Sequence, residues 1–134
     1  MDFDIPHEHR MLSDLVARFV RESLDPLEPR VLTREASGEG ATLTADEVAQ
    51  LDRVAQDMGL WGLDAPEEMG GANLPVSAMV GVMEALGRSI VPYRFAPDSP
   101  NLRMLMIAAT PEQKVRYLEP YARGVAHSAM AISE

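Results

Sequence analysis

The sequence predicts an all-α fold, a helical bundle of about five to six helices with a β-strand beginning at its C-terminal end. Three observations carry that prediction. Apolar residues recur at helical spacing in successive stretches, two capping-box patterns mark helix starts, and proline or glycine stands at the expected boundaries. Only the last residues abandon the helical period.

A chain of 134 residues has the length of one domain and can bury on the order of two-thirds of its unfolded surface. Apolar residues at 46% and charged residues at 25% are those of a globular domain, and aromatics at 5% leave the interior to aliphatics and methionine. The formal charge of −9 repels a phosphate backbone, so no nucleic-acid partner is expected. The absence of cysteine excludes disulfides, a thiolate nucleophile and a zinc-thiolate site, which suits a reducing cytosol. The longest apolar run, Met104 to Ala109, is too short to span a membrane, and the acidic start MDFDIPHEHR is unlike a signal peptide. A soluble cytoplasmic protein with no membrane span is the resulting expectation.

Leu12, Leu15, Val16, Phe19 and Val20 repeat at i, i+3, i+4, i+7 and i+8, defining one face of a first helix from about Pro6 to Leu24. Asp4 or a neighbour is the expected cap. Pro26 is the expected stop, because its ring clashes with the preceding turn and it has no amide proton. Pro26, Pro29 and the polar run REASGEGAT predict a mobile loop from Asp25 to Leu43. Thr44 and Glu47 then form a capping box, flanked by Leu43 and Val48 at hydrophobic-staple spacing. Leu51, Val54, Ala55 and Met58 continue that stripe to Gly59, giving a second helix over about Thr44 to Met58, with Leu60 folding back on Val54 and Ala55.

Trp61, Leu63 and Ala65 alternate with Gly62 and Asp64 before a turn-rich loop, Pro66 to Leu74, that holds Gly70 and Gly71. Pro75 fits the first turn of a third helix. Its apolar side is expected to carry Val76, Val80, Met83 and Gly87, with Met79 and Leu86 beside them. Ser99 and Pro100 open a short helix with Leu102, Leu105, Met106 and Ala109 on a common face. Thr110 and Gln113 form a second capping box, starting a helix that carries Val115, Leu118 and Ala122, ends by Gly124 and should be kinked or broken at Pro120. The terminal HSAMAISE reads as a strand that has just begun, and a lone terminal strand has no pairing partner. The expected division is a helical domain over 1–126 and the first strand of a further domain over 127–134.

General chemical motifs are sparse. His7 and His9 would point about 200° apart on a helix, so no metal site is expected. Glu67 and Glu68 read as solvated loop charge, and Glu84 with Arg88 as an i,i+4 ion pair. Gly70-Gly71 lacks the preceding strand and the remaining residues of a phosphate cradle. G-x-S-x-G is absent as well. No residue of the chain is assigned a catalytic role.

Function enters through resemblance. MGLWGLDAPEEMGGANLP, from Met58 to Pro75, resembles the "GL-apolar-G-apolar-x-x-P-E-E-x-G-G-x-G-L" stretch of acyl-CoA dehydrogenases, with Asn73 where glycine is common. MEALGRS resembles that family's "EELGR" helix end, and TPEQKVRYLEPYARG its "T-x-E-Q-K-x-x-Y-L-P-x-L-x-x-G" helix, with Glu119 as one extra residue. AMAISE is similar to the start of the flavin-binding "T-E-P-x-x-G-S" segment, with Ser133 in place of threonine. FAPDSPN, Phe95 to Asn101, resembles the A-P-D-x-x-N loop of a branch acting on medium to long, sometimes hydroxylated, acyl chains.

The resemblance implies a three-domain FAD enzyme of which this chain is the N-terminal helical domain, ending at the first strand of the middle β-domain. Such an enzyme carries out α,β-dehydrogenation of an acyl-CoA thioester, works as a homo-oligomer and passes electrons to an electron-transfer flavoprotein. By the same implication the catalytic base lies in the remainder of the same polypeptide, and this fragment alone is inactive. Its expected share is one wall of the acyl pocket, from Met83, Phe95, Leu102 and Met106, and first flavin contacts from Met130, Ile132 and Ser133. The flexible thioethers of Met83 and Met106 suit such a wall. The alternative is a non-catalytic helical interaction module of the same fold.

Overall fold

A computed structural model describes residues 4–97 and 99–126. The expected helices form, and the chain gathers into two compact units. One comprises the residues up to Leu60 together with Pro75–Arg94, and the other Trp61–Leu74 together with the residues from Phe95 onward. No strand occurs among the described residues, and the strand expected at Ser128 to Ser133 lies outside them.

In the first unit α1 runs over His7–Phe19 and buries Val16 and Phe19, with Leu12 and Leu15 half-buried on the same face. Pro6, not Asp4, occupies its N-cap, and contributes no side-chain hydrogen bond there. Beyond Phe19 the helix widens into a π turn, Val20–Leu24, whose closing bond runs from the Asp25 amide to the Val20 carbonyl. A 3-10 turn, Asp25–Leu27, and a second helix, α2 (Glu28–Ala36), follow directly. Most of the loop expected from Asp25 to Leu43 is therefore helical. Pro26 and Pro29 each stand in the first turn of a new element, where the missing amide proton costs nothing and the fixed φ helps. They restart the chain where they were expected to stop it, and Val31 of α2 is completely buried.

The third helix, α3 (Ala45–Asp57), carries the expected capping box: the Thr44 amide donates to Glu47 Oε2 at 2.9 Å and the Glu47 amide to Thr44 Oγ1 at 3.2 Å. It ends at Gly59 with the paired bonds of a Schellman motif, Leu60 amide to Ala55 carbonyl at 2.7 Å and Gly59 amide to Gln56 carbonyl at 2.9 Å. Leu60 is fully buried.

The next helix, α4 (Val76–Leu86), departs from expectation twice. Pro75 is its N-cap, not a first-turn residue. Its buried face is Ala78, Val82, Ala85 and Leu86, while Val76, Val80 and Met83 are 82%, 63% and 56% exposed. The cause is close approach: α4 packs along α1 with Gly81 against Ser13, so the side lined by small residues turns inward and the bulkier ridge faces out. Long-range polar links also hold this unit. Glu28 Oε1 accepts from Ser89 Oγ at 2.9 Å and from the Ile90 amide at 3.2 Å. Tyr93 OH donates to Asp52 Oδ1 at 2.8 Å while its ring lies 5.5 Å from that of Phe19.

In the second unit the stretch from Gly62 to Leu74 folds on itself, with bonds from the Ala72 amide to the Gly62 carbonyl (2.8 Å), Asn73 to Ala65 (2.8 Å) and Leu74 to Leu63 (2.9 Å). The Gly62 amide also reaches the Ala96 carbonyl at 2.9 Å. A fifth helix, α5 (Ser99–Ala108), precedes a continuous helical run made of α6 (Pro111–Gln113), a π turn (Lys114–Leu118) and α7 (Glu119–Ala122). The expected capping box at Thr110 and Gln113 is present. Ala65, Leu102, Leu118, Tyr121 and Ala122 form the core, with Met69, Leu105 and Met106 packed against it.

Pro120 does not break this run. It sits in the first turn of α7, just after the π turn, and Pro26 stands in the same relation to its own π turn. A proline in a regular α-helix clashes with the carbonyl four residues back, and a turn widened by one residue carries that carbonyl away.

Candidate functional site

The two pocket candidates on α5 lie together. Leu102 is 0% exposed at the centre of the second unit's core, and Met106, one helical turn on, is half-buried against the same cluster. Phe95 is half-buried where the chain re-enters this unit, and Met83 belongs to the first unit, on the exposed ridge of α4. Met130, Ile132 and Ser133 lie outside the described residues. The large apolar side chains of α5 that are exposed are Met104, at 53%, and Ile107, at 88%.

Beside Leu102 stands a residue the sequence did not single out. Arg103 Nη2 donates to the Asp64 carbonyl and to Asn73 Oδ1, both at 3.0 Å, tying α5 to both arms of the folded 62–74 stretch. Asn73 has a φ of 47°, the one positive value at a non-glycine residue among those described. Asparagine tolerates that conformation better than most residues. The position where the family commonly has glycine thus keeps glycine-like backbone geometry and adds an acceptor for Arg103. Its departure from the pattern was visible in the sequence, whereas its partner, far along the chain, left no local signal.

Shifted ionisations among the described residues mark packing and capping. Glu47 is held down to about 2 by the Arg34 guanidinium, 2.7 Å away, and by the Thr44 amide. Burial, then the Asp52 carboxylate, push the Tyr93 phenol up, keeping it a donor. Its own backbone amide, then the Thr110 hydroxyl, lower Glu112. None of these groups lies on α5 or on the 62–74 stretch. Glu84 and Arg88 form the expected ion pair at 2.9 Å, on an exposed surface.

A cleft of about 440 Å³ opens in the first unit, lined by Ser23, Leu27, Arg30, Glu47, Gln50 and Val54 among others. Treating residues 25–43 as a loop concealed it. Its charged lining is Glu22, Arg30 and Glu47, and the Glu47 carboxylate is held by Arg34 at 2.7 Å and Arg30 at 3.8 Å, so the cleft presents both signs of charge. Among the described residues no cluster of His, Asp and Glu could hold a metal ion, and no helix is long and apolar enough to cross a membrane.

The comparisons with known proteins bear on the whole chain. The family model "Acyl-CoA dehydrogenase, N-terminal domain" matches residues 6–125. An (R)-benzylsuccinyl-CoA dehydrogenase of Thauera aromatica is 34% identical over 142 residues, an alignment that takes in 100% of this chain and 35% of that protein. A 3-(aryl)acrylate reductase of Clostridium sporogenes is 26% identical over 130 residues, covering 95% of this chain and 32% of the relative. A solved structure from Mycobacterium abscessus, provisionally assigned as an acyl-CoA dehydrogenase, superposes with a TM-score of 0.74 at 28% identity, over 92% of this chain and 33% of that one. The chain thus spans about a third of the length of these proteins.

Proposed function

Because the chain belongs to the acyl-CoA dehydrogenase family, whose N-terminal domain it matches over residues 6–125, we propose that it forms the N-terminal part of an FAD-dependent enzyme that oxidises acyl-CoA thioesters. The family match over nearly the whole chain is the observation that carries this reading. In the reaction an α-proton passes to a base supplied elsewhere in the protein, a hydride leaves the β-carbon, and a carbon–carbon double bond forms. FAD, when bound, supplies the hydride acceptor. First flavin contacts are proposed for Met130, Ile132 and Ser133, a homo-oligomer for the assembly, and an electron-transfer flavoprotein as the electron partner.

The part given to the described residues is binding and exclusion of water. Met106 and Phe95 of the second unit are proposed to face the acyl chain, with Leu102 fixing α5 from inside that unit's core, and Met83 of the first unit is proposed as a separate acyl contact. Each substrate methylene taken out of water by such a wall contributes about 0.8 kcal/mol. A dry wall also protects the activated α-carbon from side reactions.

Medium to long aliphatic chains are the first substrate class proposed, on the likeness of the Phe95 to Asn101 loop. A second reading, an aryl-substituted acyl chain, is favoured by the names of two relatives, a benzylsuccinyl-CoA dehydrogenase and an arylacrylate reductase. Supplying the full-length protein with acyl-CoAs of graded length and with an arylated acyl-CoA, plus an artificial electron acceptor, separates the two. A product lighter by two hydrogen atoms identifies the class, and no such product from any thioester contradicts the proposal.

A further inference from the structure

We infer that Arg103 is a specificity-determining positioning residue, whose bonds to Asn73 and Asp64 set the seating of α5 on the 62–74 stretch and thereby the depth of the acyl pocket. This rests on the function proposed above, but its grounds are local and belong to this chain. A single nitrogen, Arg103 Nη2, donates to the Asp64 carbonyl and to Asn73 Oδ1 at 3.0 Å each. Those acceptors lie on the two arms of a stretch closed by its own backbone bonds between Leu63 and Leu74 and between Ala65 and Asn73. The stretch is thus gripped as one piece. Its Ala65 and Met69 pack into the same cluster as Leu102 and Met106, one residue before and three residues after Arg103 on α5.

The apolar driving force beneath is non-directional. Hydrogen bonds have a preferred length and angle. The polar clamp at the rim therefore adds a directional restraint to the seating that the packed cluster gives α5. Asn73 strengthens the assignment, since glycine would satisfy its φ of 47° equally well but offers no side-chain acceptor. A side chain in that conformation earns its place through the bond it makes.

The test uses the full-length enzyme with Asn73→Gly, Arg103→Ala, their combination, and Arg103→Lys. Asn73→Gly is the cleaner variant, because glycine accepts the backbone geometry and only the acceptor is lost. Loss of the clamp is expected to raise KM for the longest accepted acyl-CoA by about 3- to 10-fold, the range of one or two net hydrogen bonds. KM for the shortest substrate, kcat and FAD content should stay within about twofold, and the combined variant should be no worse than Arg103→Ala, which already loses both bonds. Arg103→Lys, which can still donate to one acceptor, should restore part of the selectivity. Hydrogen exchange should quicken at the amides of Ala72, Asn73 and Leu74 in both single variants. An active wild type whose variants keep its chain-length profile overturns this role alone. A wild type inactive on every acyl-CoA overturns the function and this role together.

Discussion

Ser13 of α1 and Gly81 of α4 meet where there is no room for another carbon: a β-carbon on Gly81 would collide with Ser13 Oγ, which donates to the His9 carbonyl at 3.0 Å. Ser13 Cβ, at 3.5 Å, would not obstruct it. Gly81→Ala should therefore destabilise by about 1 kcal/mol net, overpacking of some 1–3 kcal/mol exceeding the helix-propensity gain of alanine. Adding Ser13→Ala removes the obstacle and should return the protein to wild-type stability or better. Denaturant midpoints of the four proteins complete the cycle, and an additive result contradicts the close-packing account.

Gly70 and Gly71 differ although they are adjacent. A β-carbon on Gly71 would collide with the Ala65 backbone carbonyl, whereas one on Gly70 meets nothing within 4 Å and faces only its φ of 82°. Gly70→Ala should cost about 1–2 kcal/mol from the left-handed backbone alone. Gly71→Ala should cost more, because a backbone carbonyl cannot rotate aside. Thermal unfolding of the two variants ranks them, and equal losses would contradict the packing of this turn.

Acid should act first where α2 meets α3. The Arg34 guanidinium and the Thr44 amide hold Glu47 at about 2, below its ordinary 4.5. A depressed folded value means the stabilisation is complete above the unfolded value and fades as pH falls from about 5 to about 2. Glu47→Gln should lower stability near pH 7 by about 1 kcal/mol, the usual worth of a cap. The gap between variant and wild type should close toward pH 2. A gap independent of pH would show that the carboxylate charge contributes nothing.

Tyr93 tests a second polar link in the same unit. Its hydroxyl donates to Asp52 at 2.8 Å, and its ring lies 5.5 Å from that of Phe19. Tyr93→Phe should cost about 1 kcal/mol for the lost bond. Tyr93→Ala should cost about 3–5 kcal/mol, since the ring packing goes too. Equal costs would mean that the ring contributes nothing.

What could be read from the sequence divides along physical lines. Local interactions announced themselves: Thr44 with Glu47 and Thr110 with Gln113 form boxes three residues apart, and Leu102 and Met106 share a face because their spacing matches the helical turn. Effects decided by tertiary contacts did not. Pro26 and Pro29 look identical in sequence whether they end a helix or begin one, and burial of Val31 made them beginnings. On α4 the bulkier stripe was the natural candidate for burial, yet the approach of α1 at Gly81 favoured the side with alanines. The Arg103 clamp joins segments distant in sequence and has no periodicity to reveal it.

The central claim is that these helices form part of a flavoenzyme acting on acyl-CoA. Its most direct test is the visible spectrum of the full-length protein, purified and titrated with acyl-CoA without oxygen. The account predicts a yellow protein, with FAD near one per chain, whose long-wavelength flavin absorbance bleaches in proportion to the thioester added. A full-length protein that folds stably yet stays colourless when supplied with FAD, or keeps its flavin oxidised with every acyl-CoA, would contradict it.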